Sequence, residues 1–183
     1  MSEFPSYGGF GPVFSLDGIT PKIAPDAFIA PTAAVIGDVE IGSETGIWFH
    51  CLVRGDLNII RIGARTNIQD GTIIHIDTGP GETHIGDDVT VGHNAVIHAC
   101  VLKNRAFVGI GATVLDGAVI EEGGMLAAGG LLDEPVEAIR ARISFVPSLA
   151  AALDGALGRN GRPAGRPAGQ SWRALVSRNS SSP

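Results

Sequence analysis

The side chains best suited to chemistry in this 183-residue chain are imidazoles. His93 and His98 stand in the stretch GHNAVIH, and His75 closes the stretch NIQDGTIIH. A neutral imidazole is a metal ligand, and three of them with an open fourth position form the ligand set of a catalytic zinc, whereas structural zinc fills all four positions, mostly with cysteine. Cys51 and Cys100 are the only cysteines, have no CxxC spacing, and read as buried thiols of a reducing compartment. Arg54, Asp56 and Asp70 leave two readings open, direct catalysis or a structural ion pair buried at an interface. His50 and His84 read as polar surface groups.

The elements that must position these groups follow from a period of six. Aliphatic residues recur at Ile23, Ile29, Val35, Ile41, Ile47 and Val53, then at Ile62, Ile68 and Ile74, then at Ile85, Val91 and Ile97, and finally at Leu102, Val108, Val114, Ile120 and Leu126. Four residues after most of them sits a small or β-branched residue, such as Ala33, Thr45, Cys51, Thr66, Ala95 or Ala112, with Leu57 the largest exception. A helix repeats its apolar face at about 3.6 and a strand at 2. A period of six fits short strands joined by corners, each side pointing one large and one small residue inward, and hexapeptide repeats of this kind build parallel β-helices. Gly37-Asp38, Gly86-Asp87 and Gly109 read as corners that need positive φ or local side-chain hydrogen bonds. The 26 glycines, about twice the usual share of roughly 7%, suit many such corners. Seventeen units at three sides per coil predict between five and six coils.

The phase breaks keep the order of sides if extra residues leave the coil at corners. The step Val53 to Ile62 is long, Ile74 to Ile85 is longer and predicts a loop near Asp77–His84, and Ile97 to Leu102 is short. In this register Arg54, His75 and His98 take the second position of units on one side. Neighbouring strands stack about 4.8 Å apart, so His75 and His98 project together. Asp70 and His93 stack on a different side. A site using all three histidines closes between two chains rather than within one, which points to a cyclic homotrimer.

The remaining sequence bounds the partners. The 44% apolar content suits a globular domain. The net charge of −6 argues against nucleic acid as a main partner, although five arginines after residue 158 make the tail basic. No apolar stretch is long enough to span a bilayer and no signal-like start is present, so cytoplasmic is the simplest location and no membrane partner is expected. The expected organisation is an N-terminal arm over 1–22, the β-helix over 23–132, a C-terminal helical segment over 133–158 and a basic disordered tail over 159–183.

At these residues the chain resembles the gamma-class carbonic anhydrases and their close bacterial relatives. The likeness is carried by Arg54-Gly55-Asp56, by IRIGARTNIQDGTIIH ending at His75, by IGDDVTVGHNAVIHAC with His93 and His98, and by VGIGATVLDGAVI. It covers about residues 12–132. General chain chirality favours right-handed crossovers; the resemblance implies instead a left-handed β-helix, and it is the only ground for that hand. It further implies a homotrimer with zinc, or alternatively iron or cobalt, at each subunit interface, held by His75, His93 and His98. Arg54 and Asp70 resemble the pair that ties subunits together. Asn67 and Gln69 match polar residues beside the metal-bound water, and Asp56 matches a further interface or site carboxylate.

The activity so implied is reversible hydration of carbon dioxide to bicarbonate by hydroxide held on the metal, with Gln69 and Asn67 orienting oxygens and Asp56 nearby. Leu57 stands where strongly active members carry a glutamate, and the loop after His75 is short, offering only Asp77 and Glu82, so weak activity is expected. The alternatives are a non-catalytic, metal-binding trimeric scaffold or assembly protein and, against the histidine spacing, a hexapeptide acyltransferase.

Overall fold

In the computed structural model, residues 11–133 are described. They form a left-handed parallel β-helix of about seven turns, with no helix among the described residues. The expected helical segment over 133–158 and the tail over 159–183 lie outside the described residues, apart from Asp133 itself.

Most units of six become a two- or three-residue strand whose aliphatic residue points inward. One face stacks Val13, Val35, Val53, Ile74, Ile97, Val114 and Leu132 in parallel register. The second stacks Ile23, Ile41, Ile62, Ile85, Leu102 and Ile120. The third stacks Ile29, Ile47, Ile68, Val91, Val108 and Leu126. Most of these side chains are fully buried, each contributing about 1.5–3 kcal/mol relative to exposure. The small residues fill the corners between the columns, where Ala27, Ala33, Cys51, Ala95, Ala106 and Ala112 are all buried. Buried threonines there are satisfied by neighbouring rungs. Thr45 Oγ1 donates to Gly63 O at 2.7 Å and accepts from Thr66 N, and Thr66 Oγ1 donates to Gly86 O at 2.9 Å.

The coil has one more rung than the period of six indicates. Val13–Phe14 pairs in parallel with Val35 and Ile36, so the coil reaches back beyond Ile23. The step from Val13 to Ile23 exceeds six residues, and an antiparallel bridge between Leu16 and Ile19 takes up the excess. That interruption hides the first rung from a search for strict periodicity.

The long step after Val53 is a bulge. Strands Ala34–Ile41 and Leu52–Ile62 run through the corner between the first two faces and merge them into one 11-stranded sheet. Gly37 pairs Gly55 and Val39 pairs Ile60, so Asp56 to Ile59 arch out. Leu57 is therefore exposed rather than filling a corner, and Ile60 is buried in its place. The second long step gives a loop shorter than expected, since His84 belongs to strand Thr83–Ile85. Asn58 on the bulge donates to Gly79 O at 2.7 Å and ties bulge to loop.

The corner glycines divide by cause. Gly37 has φ 77°, as a tight corner requires. Gly86 and Gly109 are not among the positive-φ residues; at the Gly86-Asp87 corner the other expectation holds, with Asn104 Oδ1 accepting from Asp87 N and Asp87 Oδ1 accepting from Ala64 N. A Cβ on Gly109 would stand 2.3 Å from Ala128 N, so close approach of successive rungs requires it. Other left-handed corners are held by glycines such as Gly71, Gly111 and Gly117 and by residues such as His50, Arg65, Asp88 and Asn94.

Candidate metal centre

His75 and His98 end adjacent strands, Ile73–His75 and Val96–His98, and pair directly in register. With Ile74 and Ile97 pointing inward, strand alternation turns both imidazoles outward. Their ring centroids lie 5.2 Å apart, and His75 Nδ1 stands 3.2 Å from His98 Nε2. The His75 carbonyl is anchored by the Thr83 hydroxyl, which donates to it at 2.8 Å. Two ring nitrogens facing each other at this distance need only open slightly to share a cation.

A carboxylate backs each imidazole. Asp56 Oδ1 lies 2.9 Å from His75 Nε2, and the same carboxylate takes a short ion pair from Arg54 Nη1. Burial raises the Asp56 carboxyl, but the His75 hydrogen bond and the Arg54 guanidinium outweigh it and hold the group below its usual value. His98 Nδ1 makes a short hydrogen bond to Asp116 Oδ1, a residue the spacing did not single out. In the sequence, LDG is one more corner, and its reach to His98 depends on how the last rungs stack.

His93 sits elsewhere. It opens the corner after strand Thr90–Val91, above Asp70 at the equivalent corner, and its Nδ1 is 3.0 Å from Asp70 Oδ2. Asp70 and His93 thus stack as the register predicts, while Arg54 pairs with Asp56 rather than with Asp70 inside the chain. Among the described residues, no three histidine, cysteine, aspartate or glutamate side chains converge to hold a metal within one chain. The donor set still fits a zinc that borrows a ligand. Two stacked imidazoles give half a tetrahedral shell, and His93 offers an outward, carboxylate-backed third on a different corner.

Asn67 lies one rung above Gly46 on the third face, where its Oδ1 accepts from Trp48 Nε1 at 2.7 Å. The NH2 end of its amide is the end left to donate. Gln69 follows Ile68 on the same side, and its backbone carbonyl accepts from the Cys51 thiol at 3.1 Å. Burial pushes that thiol up to about 11 and the Cys100 thiol up to about 12, so neither is a ready nucleophile or ligand. His50 is exposed at a corner, and His84 Nε2 pairs with Glu82 at 2.7 Å on the second face, away from the stacked pair.

No protein-family model matches the chain. The mitochondrial gamma carbonic anhydrase 2 of Arabidopsis thaliana is 51% identical over 120 residues, which are 63% of this chain and 43% of that protein. The chain thus spans less than half the length of that relative. The crystal structure of a hexapeptide transferase family protein from Anaplasma phagocytophilum is 45% identical, with a TM-score of 0.64 over 75% of each chain. That of a candidate acetyltransferase from Bacillus cereus is 36% identical, with a TM-score of 0.66 over 76% of each. The repeat, the stacked histidines and these likenesses together make the chain a member of the gamma-carbonic-anhydrase-like family of hexapeptide-repeat proteins.

Proposed function

We propose that the chain is a metal-dependent carbonic anhydrase of the gamma class, interconverting carbon dioxide and bicarbonate at sites between the subunits of a homotrimer. The observation that carries this is the His75–His98 pair, two outward imidazoles with ring nitrogens 3.2 Å apart, each backed by an aspartate. His75 and His98 of one subunit and His93 of a second copy would hold zinc, with iron or cobalt as alternatives. Zinc in such a site supplies a Lewis acid that lowers the pKa of water from about 15.7 to about 7.

The chain's own residues do the rest. Asp56 and Arg54 fix the His75 ring. Asn67, its oxygen taken by Trp48, turns its NH2 toward a substrate oxygen, and Gln69 supports the same orientation from the same face. The proton released by hydration must reach solvent. Leu57, exposed on the bulge, carries no proton, so the predicted turnover is low.

The test is stopped-flow hydration of carbon dioxide by protein loaded with zinc or with iron, beside metal analysis of the purified chain. A rate above buffer that disappears in His75→Ala and His98→Ala supports the reading. Stoichiometric metal with no rate makes the protein a metal-binding scaffold, and no metal at all removes the metal centre. The likeness to the hexapeptide transferase family and to the candidate acetyltransferase supports a second reading, acyl transfer. Acetyl-coenzyme A turnover that persists in His93→Ala and His98→Ala would favour it.

A further inference from the structure

We propose that Asp116 is a positioning residue of the metal centre, setting which nitrogen of His98 faces the ion; this rests on the metal reading above. Strand pairing places Leu115 one rung above His98, because Val96 and Ile97 pair with Thr113 and Val114. The chain then turns through Asp116 and Gly117, and the Gly117 amide donates to Ala99 O at 2.8 Å. The step below this corner, from Ile97 to Leu102, is the short one, and Ala99 takes φ 44° to close it. That tight corner sits directly under Asp116, and the Asp116 carboxylate reaches down to His98 Nδ1.

The chemical consequence is specific. A carboxylate only accepts, so the Asp116 bond requires the proton on Nδ1 and leaves Nε2 with its lone pair. Nε2 is the atom that faces His75 Nδ1 at 3.2 Å. Without Asp116 both tautomers are available to His98, and one of them points a hydrogen at the position of the ion. Asp56 serves His75 by a hydrogen bond of the same kind, and Asp70 lies 3.0 Å from His93 Nδ1, so each of the three histidines has a carboxylate beside it. Asp116 is more exposed than His98, so its lever is orientation and tautomer more than buried charge.

The experiment measures zinc affinity of the full chain by competition with a chromogenic chelator, for the parent, Asp116→Ala and Asp116→Asn. Partners that orient a ligating histidine typically contribute about 10–100-fold in metal affinity. Asp116→Ala should weaken zinc by that factor. Asp116→Asn should lie between, because its amide oxygen accepts the same proton without charge. Nitrogen-15 spectra of metal-free protein should show His98 as the Nδ1–H tautomer in the parent and a mixture in Asp116→Ala. Thermal melting of the metal-free variants separates a purely structural corner, which would lower the midpoint and leave zinc affinity and tautomer unchanged. Zinc binding by the parent with unchanged affinity in both variants overturns the role of Asp116 and spares the metal reading. If Asp116→Ala does not fold, the Asp116→Asn affinity and the parent tautomer decide alone. A parent that binds no zinc removes the metal reading, and this inference with it.

Discussion

The histidines, their aspartates and the two thiols owe their behaviour to which way a short strand turns them. The candidate ligands point outward and their inward neighbours hold the coil, so the two roles separate cleanly. Leu57→Glu should therefore cost little stability, within about 0.5 kcal/mol for an exposed site, and should raise the hydration rate by offering a proton acceptor beside the site. An unchanged rate in a metal-loaded variant would contradict the placement of the bulge beside the reaction. The thiols give a prediction on pH. Folding raises Cys51 from an ordinary 9.0 to about 11 and Cys100 to about 12. The unfolded chain therefore loses these protons first, and the stability they confer is fully present below about pH 9 and is lost as pH climbs toward 11 and 12. Denaturant midpoints should fall over that window, less steeply in Cys51→Ala. The ligand candidates were legible in the sequence because register is a matter of counting. Asp116 was not, because its role arises from a corner one rung away.

At the scale of strands and corners, each rung is defined by how closely the next one approaches. Gly109→Ala would put a Cβ 2.3 Å from Ala128 N, and no side-chain motion relieves a backbone contact. The expected cost is about 1–3 kcal/mol, read as a lower thermal midpoint; an unchanged midpoint would mean that the last rungs separate freely. The strand column was readable because one large and one small inward residue recur on every side. The first rung was not, since the Leu16–Ile19 turn breaks the period. The glycine corners were only partly readable, because residue type does not distinguish a positive φ from a close approach.

For the whole molecule, the first face supplies two ligand candidates and a separate corner supplies the third. One chain cannot close such a site, so the arrangement predicts association. Light scattering on the purified protein should give three times the subunit mass. Mixing His75→Ala with His93→Ala subunits should restore some zinc binding, because one interface in the mixed trimer then carries all three imidazoles. Failure of mixing alone to restore binding, with both variants trimeric, would count against ligands drawn from two chains. Left-handedness was not readable from spacing and came with the family likeness.

Strand pairing links each rung only to those directly above and below. Such a molecule is modular in the way of a stack of tiles, and its length is set by how many are laid down. A full coil could be removed below Val35 or added above Val114 with His75 and His98 still one interval apart. Cutting between them would destroy the pair at once. A metal centre built on that single interval would thus leave both ends of the stack comparatively unconstrained to lengthen, shorten or acquire new attachments.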